Sequence, residues 1–549
     1  MLSKFLQIVI ENHSSFKKND KRSSSTSIEK LAAARKLLIN DNNEQALSIV
    51  RSLMKNGTSQ DRVLLFFLED IEFRKLFLQN SLQETSAISE EISQLARIYS
   101  KELCIAGSNE GKTVAHSVSI EIINELPLGL GFANTSVNTV IFRSEGILTI
   151  DDVQITAFYL NRNTLRIIKR DLVNDTIENF DLDGEYNLSD AHNSISIGYD
   201  RNKRIHLSYD HHSSKLRYRR SLKPKSIDDW TSEIPMTFSN EIKVTYPSFI
   251  LPKSNAPLMM LYRDGSWKSG TAFLKWYDEH LQKWVDCPNV ILSGSANSPW
   301  TSNAYWNKPV RGKNGDLHIS YCWRTDYFED SQHVNNVNIG YAVSYDDGFS
   351  WLTSNGKKYK LPITQVNSET IYALPPCSNL MNQTNMALDS LGRPHIVTYA
   401  NDEEQIPQYK HIFFDGKTWK SQNISRRTRE FNLEGGGTLP IPISRPDLVI
   451  DDDDNIFVVH SSEGHARELM LTTLLAPNYE YSSLSTQVLY SYSIGYAEPI
   501  LDKCRWHNEK ILSLLVQKNE QPIGDLEREK NEMNEPLTIV DIKIKKIKY

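Results

Sequence analysis

Hydrophobic and polar residues alternate in two different ways along the chain. Between residues 28 and 110, apolar side chains recur at the spacing of one helical face, and the segment SIEKLAAARKLLINDNNEQALSIVRSLMKNG adds an Asn-rich break and a terminal glycine. From residue 111 onward, short runs of alternating apolar and polar residues are separated by Asp, Asn and Gly. The pattern predicts a small α-helical region followed by a mainly β domain over residues 111–549.

The two ends of the chain differ from these regions. Residues 1–27 are polar and end in KKNDKRSSSTS, which predicts a flexible arm. The first helices of the 28–110 region have the pattern of a tetratricopeptide-type (TPR-like) hairpin, and a plain helical extension gives the same pattern. In either case we expect this region to offer a contact for a protein partner. A charged segment near residues 524–535 precedes LTIVDIKIKKIKY, whose alternation predicts a closing strand.

The runs of the β domain share a common frame. YDRNKRIHLSY, GKNGDLHISYC, LDSLGRPHIVTY and IDDDDNIFVVHS each place a polar turn directly before an alternating strand. Loose repetition of short strands over such a length predicts a β-propeller, whose blades are small sheets closed into a ring. The segment SYDDGFSW also matches the Asp-box pattern of propeller hairpins, with Asp346 capping the turn and Trp351 packing between strands.

Composition narrows the class of protein. Of the 549 residues, 39% are hydrophobic and 24% are charged, as in folded globular proteins. The net charge of −6 gives no reason to expect a nucleic-acid partner. No apolar run approaches the roughly 20 residues that cross a membrane, and the run Phe5–Ile10 is shorter than the core of a signal peptide. We therefore expect a cytoplasmic protein without a membrane span.

The five cysteines are widely spaced and include no CxxC pair. Such spacing argues against a disulfide framework and against a thiolate zinc site. We expect neither a cofactor nor a catalytic metal.

Polar and aromatic residues interrupt the predicted strands at five turn-flanked positions. Taken alone, each of these positions is compatible with an ordinary hydrogen-bonded structural residue or a surface ion pair. Together they form a set of imidazoles, phenols and positive charge. The motifs are DAHN with His192, DHHSS with His211 and His212, VTYPSF with Tyr246, LYRDG with Arg263, and SNAYW with Tyr305.

In order and approximate spacing, these motifs resemble the BNR-repeat propellers of the ulvan lyase type, which cleave polysaccharides containing uronic acids. The resemblance covers about residues 135–470 and includes LHISYCWR and YAVSYDDGFSW. It implies a propeller of seven blades and an acidic polysaccharide or oligosaccharide as substrate. It further implies that His192 and Tyr246 are the acid/base pair of a β-elimination, and that the uronate carboxylate is bound by His212, Arg263 and Tyr305, with His211 as a neighbour.

The residue types suit this reaction. β-Elimination removes the proton on C5 of a uronate and expels the group on C4, and it requires neutralisation of the adjacent carboxylate. An Arg fork is suited to that carboxylate. Imidazole titrates near neutral pH, and a phenol is able to protonate the leaving oxygen.

Two other functions are compatible with the same propeller. A glycoside hydrolase acting on a uronate-containing glycan would need two opposed carboxylates, and Asp190, Asp264 and Asp447 are candidates. A non-catalytic glycan-binding propeller would need Arg263 and exposed aromatic surfaces, but not the pair of His192 and Tyr246.

Overall fold

The computed structural model describes residues 118–143, 145–267, 269–294, 303–325, 333–464, 467–522 and 532–547. The chain divides into two compact units, residues 1–115 and 116–549, and all the described residues belong to the second. The predicted arm, the predicted helical region and most of the charged segment near residues 524–535 lie outside the described residues.

The described residues form seven β-sheets, which are the blades of a β-propeller. The predicted mainly β, seven-bladed fold is confirmed. Blade 1 contains β2 (Ile147–Ile150), β3 (Val153–Asn161), β4 (Thr164–Asp171) and β5 (Ile177–Asp183). Blade 2 contains β6 (Ser196–Tyr199), β7 (Ile205–Ser208) and β9 (Tyr218–Arg220). Blade 3 contains β8 (His212–Ser214), β10 (Val244–Ile250), β11 (Met259–Asp264), β12 (Thr271–Asp278), β13 (Lys283–Asp286) and β14 (Leu292–Ser293).

The other four blades follow in the same way along the chain. Blades 4 and 5 contain β15 (Asn303–Trp306), β16 (Val310–Arg311), β17 (Leu317–Arg324), β18 (Asn336–Ser344) and β19 (Thr370–Tyr372); then β20 (Asn385–Leu388), β21 (Pro394–Asn401), β22 (Pro407–Phe414) and β23 (Trp419–Asn423). Blades 6 and 7 contain β24 (Asp447–Ile450), β25 (Ile456–Ser461), β26 (Leu469–Leu474) and β27 (Thr486–Tyr490); then β28 (Ile500–Leu501), β29 (Ile511–Gln517), β30 (Asn534–Lys546) and β1 (Val118–Phe132).

The ring is closed by strands from distant parts of the chain. β1 pairs antiparallel with β30 from Val118 opposite Lys546 to Phe132 opposite Asn534, so the seventh blade combines the beginning and the end of the domain. Because both strands pair within one sheet, neither is left as an isolated strand. The closing strand predicted from LTIVDIKIKKIKY is β30.

In each blade one strand lies nearest the central channel, and we call it the first strand. The first strands are β2, β6, β10, β15, β20, β24 and β28. First strands of neighbouring blades contact one another, as β6 contacts β10 and β20 contacts β24. All four residues of β2 and all four of β15 are buried, whereas most of the outer strand β5 is exposed. Because the blades repeat one connectivity, the first strands all run in the same direction. Their starts therefore lie at one mouth of the channel and their ends at the other.

The turn after β18 supports blade 4. Asp346 accepts hydrogen bonds from the backbone N–H of Ser350 at 2.8 Å and from the hydroxyls of Ser344 and Ser350. Gly348 has a φ of +89°, which favours glycine, and Trp351 is buried. These contacts connect the hairpin turn to the core of the blade.

A short α-helix, α1 (Lys503–Glu509), connects β28 and β29. In the part of the chain that the structure describes, no helix has the length and hydropathy needed to cross a membrane.

Candidate active site

The predicted acid/base pair and the carboxylate-binding set come together at the mouth where the first strands begin. His192 lies in the 3-10 turn Ala191–Asn193 directly before β6, and Tyr246 and Tyr305 lie in the first strands of blades 3 and 4. Arg263 lies at the end of β11 opposite Thr245, and His212 begins β8. Side chains from three consecutive blades therefore meet in one cluster.

Two histidines share one carboxylate at this mouth. Asp190 caps the 3-10 turn by accepting the backbone N–H of His192 at 2.9 Å. Its Oδ1 also lies 2.6 Å from Nδ1 of His192, and its Oδ2 is hydrogen-bonded to Nδ1 of His212. The two imidazoles stack with ring centroids 4.0 Å apart. An ionised carboxylate only accepts hydrogen bonds, so both Nδ1 atoms donate to Asp190. The Nε2 atom of each ring is then an acceptor when the ring is neutral and a donor when the ring is an imidazolium.

Burial and charge act against each other on this trio. Burial lowers the pKa of His192 to about 4, even though Asp190 favours the imidazolium, and His212 and Arg263 lower it further. Burial opposes ionisation of Asp190, but the two histidines hold its pKa well below the usual value. At neutral pH, His192 is therefore a neutral imidazole bonded to a carboxylate.

Tyr246 has an unusual backbone conformation. Its φ is +56°, and the pairing of β10 with β11 shifts register between Thr245 and Ser248. A non-glycine residue in this region costs on the order of 1–3 kcal/mol and persists only where its surroundings impose it. The bulge places the Tyr246 ring 5.6 Å from His192 and 5.4 Å from Phe142. Burial, assisted by Tyr305 and opposed by Arg263, raises the pKa of Tyr246, so the phenol remains protonated.

Arg263 is a fully buried guanidinium with unused donors. Its Cζ lies 5.0 Å from the centroid of the Tyr246 ring, and its Nη2 donates to Oγ1 of Thr245 at 3.2 Å. Nε and Nη1 are buried and have no hydrogen-bond partner. Because an unsatisfied buried donor costs about 1–3 kcal/mol, and more when it is charged, these N–H groups point to an anionic ligand.

Tyr305 lies beside a second arginine. The Cζ atom of Arg324 is 4.7 Å from its ring centroid, and the ring itself is 6.1 Å from that of Tyr246. Burial opposes the phenolate, but Arg324 and Arg263 outweigh it and lower the pKa of Tyr305. The two neighbouring phenols thus differ: Tyr246 holds its proton more tightly, and Tyr305 is the better hydrogen-bond donor.

The family model for BNR repeat-containing proteins matches residues 153–427, half of the chain. The chain belongs to the BNR repeat-containing family. The resemblance to ulvan lyase-type propellers is also confirmed at the level of the fold. The polysaccharide lyase Uly1 is 13% identical with a TM-score of 0.58, over 77% of this chain and 99% of Uly1. An ulvan lyase bound to -[GlcA(1-4)Rha3S]- is 12% identical with a TM-score of 0.55, over 73% of this chain and 96% of its own. No curated protein sequence matches the chain.

Several residues of the pocket in this BNR-repeat protein were not predicted as part of the site. Asp190 was considered only as a hydrolase carboxylate, although its position two residues before His192 is the signal for a shared turn. Phe142, which comes from the loop before β2, stacks on His192 at 5.2 Å. Arg445 lies over Phe142 at 5.4 Å and forms an ion pair with Glu498 at 2.7 Å. No sequence motif connects Phe142, Arg445 and Glu498, because they come from blades 1, 6 and 7.

His211 is engaged elsewhere. It is fully buried, and its Nε2 accepts the backbone N–H of Arg217 at 2.6 Å. Burial, with a smaller effect of Arg217, lowers its pKa to about 3. His212, by contrast, is half-buried, and its Nδ1 is bonded to Asp190. These contacts lend no support to a substrate-binding role for His211.

The other two candidate carboxylates of a hydrolase have separate partners. Asp447 forms an ion pair with Lys503 at 2.7 Å, and Asp264 accepts the backbone N–H of Lys243 at 3.1 Å. With Asp190 held by two histidines, none of the three is placed as a free carboxylate facing a second one.

The Asp190, His192 and His212 trio also has the spacing of a metal-ligand group, since one ligand atom from each lies within 4.8 Å of the others. Two imidazoles and a carboxylate are the donors that Zn²⁺ accepts. The Nδ1 atoms of His192 and His212 donate hydrogen bonds to Asp190. A cation bound by these two nitrogens would therefore replace those hydrogen bonds.

Proposed function

We propose that the protein is a polysaccharide lyase that cleaves a uronic-acid-containing glycan by β-elimination. The observation that carries the proposal is the buried guanidinium of Arg263, whose Nε and Nη1 have no partner and which lies against Tyr246 in a pocket with two stacked histidines. A uronate carboxylate would satisfy these donors through a two-point interaction.

Neutralising the carboxylate makes the C5 proton more acidic. When C5 loses its proton, negative charge spreads onto the carboxylate, where Arg263 would stabilise it. The Nε2–H of His212, which requires the imidazolium form, and the hydroxyl of Tyr305 would complete the carboxylate site by donating hydrogen bonds. Tyr305 is close enough to Arg263 for the guanidinium to lower its pKa, and His212 stacks on His192.

The acid and base roles follow from the protonation states. The neutral Nε2 of His192 accepts the proton from C5, and Asp190 stabilises the imidazolium that forms. The electron pair of the C5–H bond becomes the C4–C5 double bond. The C4–O bond breaks, and the departing oxygen takes the proton of the Tyr246 hydroxyl. A group in either role typically contributes about 10²–10⁴ in rate.

The comparisons support the substrate class. Two solved lyases share the fold over nearly their entire length, and one of them was crystallised with a glucuronate-containing oligosaccharide. Arg263 lies over the ring of Tyr246, Arg324 over that of Tyr305 and Arg445 over that of Phe142. This concentration of positive charge is suited to an acidic glycan.

The test is incubation of purified protein with a panel of uronic-acid polysaccharides. We expect ultraviolet absorbance from the new C4–C5 double bond together with new reducing ends. Both signals should be lost in His192→Ala and Tyr246→Phe but kept in His280→Ala, a change at an exposed histidine in the turn after β12. Reducing ends without absorbance would replace elimination with hydrolysis, and binding without either signal would identify a non-catalytic propeller.

A further inference from the structure

The opposite mouth of the central channel contains a second cavity. It has a volume of about 760 Å³, and much of its lining follows the first strands, including Lys253 after β10, Lys313 after β16 and His507 in α1, while Glu145 contributes from the loop before β2. The cavity is separate from the site described above, because its lining does not include His192, His212, Tyr246, Arg263 or Tyr305. Its volume is in the range of small-molecule binding sites, about 300–1,000 Å³.

Positive charge at the rim of this cavity is only partly neutralised. Arg311 pairs with Asp347 at 2.8 Å, and Asp316 is bonded to His318. Lys253 is half-buried, and neither it nor Lys313 forms an ion pair among the described residues. Lys253 and Lys313 thus line the cavity without a described ion pair, whereas Asp316 and Asp347 are already engaged by His318 and Arg311.

Mutual repulsion within this group is visible in its electrostatics. Burial lowers the pKa of Lys253, Asp316 opposes that effect, and Arg311 and Lys313 reinforce it. Burial also lowers the pKa of His507, and Lys253 and Lys313 contribute to the shift. An anion bound between them would relieve this repulsion.

The wall of the same cavity carries an unused acceptor. Glu145 is 7% exposed; its Oε1 lies 2.6 Å from Nζ of Lys308, whereas its Oε2 is buried without a hydrogen-bond partner. The cost of leaving a buried charged acceptor unsatisfied exceeds the about 1–3 kcal/mol of a neutral group. A ligand hydroxyl would satisfy it.

We propose that this second cavity binds a hydroxylated anion, namely a sugar acid or a sugar phosphate. Its hydroxyl groups would donate to Glu145, and its carboxylate or phosphate would lie between Lys253 and Lys313. The site is independent of the elimination reaction, because none of the candidate active-site residues His192, His212, Tyr246, Arg263 and Tyr305 lines the cavity.

Calorimetric titration of the full chain tests the proposal with four probes. Glucose 6-phosphate and glucuronate carry both features of the ligand, glucose lacks the charge, and inorganic sulfate lacks the hydroxyls. Glucuronate is titrated in the Arg263→Ala background so that the candidate active site does not contribute. Glucose 6-phosphate is titrated in the unchanged chain, which keeps the test valid if that variant fails to fold.

We expect at least one of the two hydroxylated anions to bind, with affinity at least about tenfold weaker in the Lys253→Gln/Lys313→Gln double variant, equal to a loss of about 1.4 kcal/mol. The control Lys283→Gln, at an exposed position of β13, should bind as the unchanged chain does, and the elimination rate should be unaffected by either change. Equal affinity in the double variant, or glucose or sulfate binding as tightly as glucose 6-phosphate, would overturn the proposal.

Discussion

Replacing Asp190 with asparagine tests the acid/base assignment most directly. The substitution keeps the size of the side chain and an oxygen that is able to cap the 3-10 turn at the backbone N–H of His192. It removes the charge and one of two acceptors. Two Nδ1–H groups need two acceptors, whereas an amide offers one acceptor and one donor. One histidine must therefore lose its bond or change its tautomer.

The expected loss can be worked out from the contacts. A hydrogen bond to a charged group contributes about 1.5–3 kcal/mol, which corresponds to about 1–2 pKa units of support for the His192 imidazolium. If that energy is lost from the transition state, the rate falls by about 10–100-fold. We expect kcat/KM for the uronate glycan to fall by at least that factor, and further if His192 is the ring that changes tautomer.

The pH profile separates this role from a purely structural one. His192 must be neutral to accept the C5 proton, so the rate rises with pH through its pKa of about 4. Asp190 opposes the lowering of that pKa; without its charge, the pKa falls and the acidic limb moves to lower pH. Initial rates of ultraviolet absorbance increase, measured from acidic to neutral pH, report both the limb and the plateau.

Asp200→Asn provides the matched control. Asp200 is a fully buried carboxylate of the same blade, 3.6 Å from Nε2 of His206 and away from the pocket. That variant should keep the plateau rate and the position of the acidic limb. An Asp190→Asn enzyme with an unchanged limb and a plateau within about twofold of the starting protein would refute the shared-carboxylate argument.

Other predictions follow from the same contacts. Tyr246→Phe should lower the elimination rate by about 10²-fold or more with an unchanged melting temperature, because the ring contacts remain; a melting temperature that falls with the rate would point to lost packing. Arg324→Gln should raise the pKa of Tyr305, because among the neighbouring charges the Arg324 guanidinium lowers that pKa the most. An NMR titration of labelled tyrosines measures the change, and a pKa that does not rise would contradict the prediction. A chelator should leave the rate unchanged, whereas added Zn²⁺ should inhibit by engaging His192 and His212; loss of activity with the chelator would instead assign a metal to the site.

Local pattern was enough to predict several parts of this protein. Alternation in short runs predicts strands because successive side chains face opposite sides of a sheet, and this gave the mainly β domain and β30. The pocket-lining His192, Tyr246, Arg263 and Tyr305 stood out because each interrupts a strand with a polar or aromatic group beside a turn. Their common resemblance to one family connected residues that no single motif connects.

What the tertiary structure decided depends on contacts between distant residues. Asp190 bonds two histidines only because β6 and β8 bring residues 192 and 212 together, and Phe142 and Arg445 join them only because the ring closes. The positive φ of Tyr246 follows from a bulge that leaves no mark in the alternation pattern. His211 is next to His212 in the sequence, but its Nε2 accepts the backbone N–H of Arg217 and its side chain is fully buried. Sequence determines which groups are present and their local period; the distances, burial and shared protons that make them act together arise when seven blades meet around one axis.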